Sequence, residues 1–324
     1  MNENLSYLDR IRINEGNEKC GQAFISFCVG NRYKAVEFIN DPYLSFPCLY
    51  MLLPAVKSYN LYNSMNYRNK NAVQIINYIL KIEKSDLPDN YLSILDNNAY
   101  KTLKWMFETG NLEDVTDELY DNIIDIAVSV LLDTYKDTSI LPAVVDIIFK
   151  RNAKGRLIHN LVWAAFKLKD PFVIKLIAER LCSQDKNEVE FAASLVNVNS
   201  SSGIDNKILY NSYSEWLKDN DPYLYFTDES FQYKSNPAFC AVDIERKYLN
   251  KGIESYEKQP LTSLNENEAS HLEVFKSMSD KEKELLSEYS LNMRKKSLSK
   301  WQNWMDNTID VQLNMANLEP EEYN

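Results

Sequence analysis

The chain has 324 residues, a formal net charge of −11 and a pI near 4.9, with 45% hydrophobic and 26% charged side chains. That length forms one large domain or two moderate ones with a sizeable core, the composition is that of a folded chain, and the acidic balance disfavours nucleic acid as a partner. Glycine is the outlier: seven are present, against on the order of twenty for an average chain of this length. β-rich folds and phosphate-cradling loops need glycine where φ is positive or a ligand approaches the backbone, so the shortage points to an all-α fold.

Five cysteines, Cys20, Cys28, Cys48, Cys182 and Cys240, are odd in number, scattered and form no C-x-x-C pair. They read as free thiols, which fits a reducing, cytoplasmic setting. The start Met1-Asn2-Glu3-Asn4 lacks the basic-then-apolar pattern of a secretory leader. Apolar runs at 21–30 and 47–56 fall well short of the ~20 residues that cross a bilayer. They are expected to be buried helices, with no membrane insertion.

In chain order, Ala35, Val36, Phe38 and Ile39 mark a helix ending at Asp41-Pro42, and a second runs from Pro47 to Tyr59. Val73, Ile76, Ile79 and Leu80 stripe the next, then Leu103, Met106 and Phe107. Thr116 opens a longer helix with Leu119, Ile123, Ala127, Val130 and Leu131. Ser139 and Pro142 open one carrying Val144, Val145, Ile148 and Phe149; its successor presents Leu157, Ile158, Leu161, Val162, Ala165 and Phe166. Asp170 is a good N-cap and Pro171 suits the first helical position. Val173, Ile174, Ile177 and Leu181 follow at helical spacing, then a polar turn and a second stripe of Val189, Ala192, Ala193 and Val196, an αα-hairpin.

These pairs recur every 30–45 residues or so, the range of helical repeats. The hairpin DPFVIKLIAERLCSQDKNEVEFAASLV (Asp170–Val196) resembles a HEAT-like or armadillo-like repeat in its opening proline, polar turn and alanine-containing second helix. The resemblance implies stacked antiparallel helix pairs whose surface binds other macromolecules, and it carries over no functional residue.

The stretch Asn199-Ser200-Ser201-Ser202-Gly203 is linker-like and predicts a boundary between a repeat domain, 1–198, and a C-terminal helical region, 204–324. Beyond it, Leu209–Leu217 reads as helix and the aromatic segment with Tyr223, Tyr225, Phe226, Phe231 and Tyr233 as irregular. Asn236-Pro237 is expected to open a helix bearing Phe239, Val242 and Leu249, with 252–260 as loop. Capping boxes are predicted at Ser263 with Glu266 and at Ser279 with Glu282, the second opening a helix that continues through Trp301 to Leu313. The acidic tail, 319–324, is expected to fray.

Chemistry-bearing motifs are scarce. His159, in an apolar helix, reads as a partly buried packing residue, and His271, among polar neighbours, as exposed. The cysteine and histidine spacings suit no zinc site, no G-x-S-x-G elbow occurs, and the glycines form neither a P-loop nor a dinucleotide fingerprint. No cofactor or catalytic residue is assigned. Carboxylate pairs such as Glu113 with Asp117 and Glu188 with Glu190 read as solvated helix faces among 47 acidic residues. They leave open an α/α enzyme acting on carbohydrate through paired carboxylates. The one basic cluster, Arg294, Lys295, Lys296 and Lys300, is followed by Trp301 and Trp304. Packed tryptophans and cations paired with Glu282, Glu284 and Glu288 explain it; if it binds a ligand, the global charge favours an acidic protein.

The expectation is therefore an all-α stack of antiparallel helix pairs acting as a non-enzymatic protein-interaction scaffold. Its contact regions are the aromatic segment at Tyr223–Tyr233 and the helix around Trp301. An α/α enzyme and a HEAT-like nucleic-acid binder are the alternatives.

Overall fold

A computed structural model describes residues 5–81, 92, 96–110, 117–199 and 204–318. It falls into two compact units, Met1–Leu168 and Lys169–Asn324. Most of the linker-like stretch at 199–203, the acidic tail, Glu113 and Thr116 lie outside the described residues.

The first unit holds α1 (Tyr7–Glu15), α2 (Asn17–Gly30), α3 (Arg32–Ile39), α4 (Phe46–Ser58), α5 (Tyr67–Leu80), α6 (Asn97–Gly110), α7 (Glu118–Asp133), α8 (Leu141–Ala153) and α9 (His159–Lys167). The second holds α10 (Phe172–Ala178), α11 (Lys186–Leu195), α12 (Asn206–Asn220), β1 (Leu224–Phe226), β2 (Cys240–Val242), α13 (Ile244–Leu249), α14 (Glu266–Ser277), α15 (Asp280–Lys296), α16 (Leu298–Met305) and α17 (Ile309–Leu318). The protein is predominantly helical, with 17 α-helices among the described residues. Among those residues no helix is long and apolar enough to cross a membrane.

Short polar residues start most of the helices, though α2, α8, α9 and α10 have no side-chain cap. Ser6, Asn31, Ser45, Asn66, Asp117, Asp185, Asp205, Asp243, Asn265, Ser279 and Ser297 each accept a bond from a backbone N–H two or three residues on. Each satisfies a donor that the first helical turn leaves without a partner, worth about 1 kcal/mol. Asp117, not Thr116, caps α7. Asp170 accepts from the Phe172 N–H at 2.8 Å, but α10 begins one residue later than expected, with Pro171 in the N-cap place and no side-chain cap.

In the first unit, α2 packs on α4 and α4 on α6, while α5 packs on α7 and α7 on α9. Sequential pairs α5–α6 and α6–α7 join these two rows, and α8 packs on α9. The apolar stripes read from sequence supply the interior: Ile76, Leu103, Met106, Phe107, Ile123, Ala127, Leu131, Val144, Ile148 and Leu161 are all buried. α1 is held by a buried carboxylate. Asp9 accepts from Ser6 Oγ at 2.6 Å, from the Ser45 N–H at 2.9 Å and from the Ser45 hydroxyl, and pairs with Arg12 at 3.4 Å. A carboxylate facing the N-terminus of α4 is placed where the helix dipole favours negative charge.

In the second unit α13, α14, α15, α16 and α17 close on a core of Tyr248, Phe275, Leu286, Tyr289, Trp304 and Ile309. Tyr248 stacks on Phe275 at 4.6 Å and meets Trp304 edge-on at 6.1 Å. Such pairs add about 0.5–1.5 kcal/mol each to the area they bury.

Four expectations are corrected. Residues 240–242 form no helix; they pair antiparallel with β1 in the register Leu224↔Val242, Tyr225↔Ala241, Phe226↔Cys240. The helix starts only at Ile244, capped by Asp243, so the aromatic segment is partly ordered as a strand. The first capping box is Asn265 with Glu268, two residues later than read, because Ser263 adopts φ 56° and Asn265 has the extended geometry a cap requires. The long C-terminal helix breaks at Ser297 (φ −164°, ψ 117°), which ends α15 and caps α16. The histidines exchange roles: His159 is exposed at the first position of α9, and His271 is only 7% exposed beneath the second unit's core.

Candidate functional site: the groove between α6 and α8

α6 and α8 belong to the same unit, yet a groove of about 230 Å³ opens between them. Phe107 and Glu108 line it from α6; Ser139 and Ile140 from the turn before α8; Ala143, Asp146, Ile147 and Lys150 from α8. Positions 139, 143, 146 and 150 advance by four, three and four, so a single helical face runs the length of the groove. Phe107, Ile140 and Ile147 are buried and form the floor, whereas Glu108, Ser139 and Lys150 stand exposed at the rim. Phe107 is fully buried, so the apolar surface open in the groove comes from Ala143 and the edges of Ile140 and Ile147, and the volume is smaller than the roughly 300–1,000 Å³ of small-molecule pockets.

One end of the groove is a polar cluster. Lys104 Nζ donates to Asp137 at 2.9 Å, to Ser139 Oγ at 3.1 Å and to Tyr100 Oη at 3.2 Å. Tyr100 and Ser139 also donate to Asp137, at 2.9 and 2.5 Å. Beyond the cluster lies a depression of about 460 Å³ lined by Asp96, Asn97, Tyr100, Tyr135 and Asp137. The Tyr135 hydroxyl donates to the Asp96 carbonyl at 2.9 Å.

A serine beside a lysine is the pairing of some hydrolases, in which the lysine must be neutral to take the hydroxyl proton. Here the bond Lys104 donates to Asp137, followed by that with Tyr100, raises Lys104 to about 12, so it is a fixed ammonium. Burial opposes ionisation of Asp137, but bonds from Ser139, Lys104 and Tyr100 outweigh it and pull the carboxyl below its ordinary range. A general base works best with its pKa near the working pH. This pair is displaced the other way on both sides, so the cluster serves as a fixed ion pair beside an apolar floor.

Asp125 on α7 is raised by burial and is bonded by the Arg151 guanidinium of α8 at 2.5 Å. Among the described residues no three His, Cys, Asp or Glu side chains are grouped to hold a metal ion.

The residues singled out from sequence lie in the second unit; Arg294 is near enough to Tyr223 to act on its charge and lies over Trp301. Tyr223, Phe226 and Trp304 are buried in packing. Tyr223 donates to Asn250 at 2.5 Å, and the Trp304 indole donates to the Gln312 carbonyl at 3.4 Å. Phe231 lies edge-on to Phe239 at 5.4 Å, and Tyr225 is half-buried with Lys258 5.3 Å above its ring. Tyr233 is 81% exposed. Arg294 sits over the half-buried Trp301 at 5.0 Å, and the Trp301 indole donates to Ser290 at 2.8 Å. Lys295 pairs with Asp219; Lys296 and Lys300 are exposed. Glu288, expected to neutralise this cluster, instead binds Lys247, a buried lysine whose pKa burial lowers and which also donates to Asn220 at 2.8 Å.

The chain matches none of the models of known families, the characterised proteins or the solved structures with which it was compared.

Proposed function

We propose that this chain is a non-enzymatic protein–protein interaction scaffold, with helix pairs stacked in HEAT-like fashion and a partner segment seated between α6 and α8. The groove carries the reading. Ala143 and the edges of Ile140 and Ile147 offer apolar surface above the buried Phe107, Glu108 and Lys150 offer both signs of charge at the rim, and the adjoining titratable groups are held away from acid–base work. Stacking of α2, α4 and α6 in one row and α5, α7 and α9 in another supports the repeat architecture, since neighbours bury the stripe that each hairpin leaves bare. Tyr233, Lys296 and Lys300 are proposed as a separate contact region on the second unit.

The test is affinity capture from the native host with the wild-type chain and with Ala143→Arg, which fills the groove from a partly exposed position. A partner recovered by the wild type and lost from a variant with unchanged circular dichroism is the expected result. The same partners recovered by both proteins would remove the groove from the proposal. No partner, together with turnover of a glycan panel, would replace the scaffold by an enzyme.

A further inference from the structure

Independently of the groove, we propose that Cys20 and Cys48 form a modification site, a buried dithiol that hydrogen peroxide converts reversibly into a disulfide tying α2 to α4. Their sulfurs face each other at 3.9 Å, and both side chains are fully buried. Cys20 also donates to the Leu8 carbonyl at 3.3 Å, so α1 lies over the pair. A disulfide needs the sulfurs at about 2.05 Å. The required approach, roughly 2 Å, is of the size that side-chain rotation at the two cysteines supplies.

The surroundings shift the two sulfurs in opposite directions. The hydrogen bond from Cys48 is the largest influence on Cys20 and lowers its pKa against burial and the charge of Asp9, with Arg12 adding a smaller pull in the same direction. The same bond and burial raise Cys48 well above its ordinary value. The thiolate is the reactive form, and the disulfide formed is the same whether Cys20 or Cys48 attacks first. With Cys20 first, its sulfur attacks one peroxide oxygen, the O–O bond breaks, and hydroxide leaves to be protonated to water; Cys20 becomes a sulfenic acid. Cys48 sulfur then attacks the sulfenyl sulfur, the S–O bond breaks, and the hydroxyl departs as water with the Cys48 proton. Two thiols and one peroxide give one disulfide and two waters. Full burial favours this small oxidant over a bulky disulfide such as oxidised glutathione. Cys182 is exposed and Cys240 only partly covered, and neither shares this arrangement.

The experiment treats the folded full-length chain with hydrogen peroxide, then unfolds it, alkylates the free thiols and maps the peptides. The expected product is a linked pair of peptides containing Cys20 and Cys48, 2 Da lighter than the two thiol peptides and separated again by dithiothreitol. Cys28, Cys182 and Cys240 remain outside that link. A Cys182→Ser variant, free of coupling between molecules through that exposed thiol, should give the same link. Oxidised glutathione at equal concentration should form it at least tenfold more slowly. Full alkylation of Cys20 and Cys48 after peroxide, sulfinic acid without a link, or an equal rate with glutathione would each overturn the proposal.

Discussion

Gly110 and Gly21 offer a paired test of the packing in the first unit. A Cβ added at Gly110, the last residue of α6, would lie 2.6 Å from Tyr120 Oη, 2.9 Å from Ile124 Cδ1 and 3.3 Å from Phe46 Cδ1. The isoleucine end can rotate away. Tyr120 cannot, because its buried ring stacks on Phe46 at 5.5 Å and meets Tyr50 at 5.2 Å. Gly110→Ala is therefore an overpacking change costing about 1–3 kcal/mol. It also strains the bond from the Tyr120 hydroxyl to the Gly110 carbonyl at 3.2 Å, worth about 1 kcal/mol. Improved helix propensity returns at most about 1 kcal/mol, and less at a helix end. The net expectation is a loss of about 1.5–3 kcal/mol. At Gly21, inside α2, an added Cβ meets nothing within 4 Å, so Gly21→Ala should stabilise by about 0.5–1 kcal/mol. Urea denaturation of the two variants decides the matter. A Gly110→Ala protein as stable as the wild type, or a destabilised Gly21→Ala protein, would refute this account of the packing.

At the start of α14, Asn265→Ala should lower stability by about 1 kcal/mol, whereas Ser263→Gly, at a residue with φ 56°, should lose nothing. Equal losses in urea denaturation would place the cap wrongly. Lys104 has a folded pKa raised to about 12 from 10.5. Its contribution is fully present below about 10.5 and is lost as pH rises towards 12. Lys104→Met should accordingly lose stability at neutral pH and melt with a shallower alkaline limb than the wild type. Parallel limbs in thermal scans from pH 9 to 12 would exclude that role for the ion pair.

The helical character of the chain was legible because it rests on local signals: a shortage of glycine, stripes at three and four residues, and short polar caps. Ser279 with Glu282 sits where the pattern placed it. Features that depend on distant partners were not legible. Cys240–Val242 becomes a strand because Leu224–Phe226 lies beside it, and an apolar triplet carries no mark of that neighbour. The packing of the tryptophans was expected, but not the partners of Trp304, since Tyr248, Tyr289 and Gln312 lie on three different helices. The groove was missed for the same reason. Phe107 looks like any residue of an amphipathic stripe until Ile140 and Ile147 come to stand opposite it. The nearest sequence clue was Ala143, a small residue on the face shared by Ser139, Asp146 and Lys150.

The carboxylate of Asp9 has a bearing on how the protein is to be trimmed. It neutralises the backbone donor and the hydroxyl of Ser45 at the threshold of another helix. A fragment beginning after residue 9 would therefore surrender more than a peripheral turn: it would open the fully buried Leu8 contact and strand two donors at the entrance of α4. Shortening that reaches Ser6 also removes the hydroxyl that completes the coordination of the buried anion.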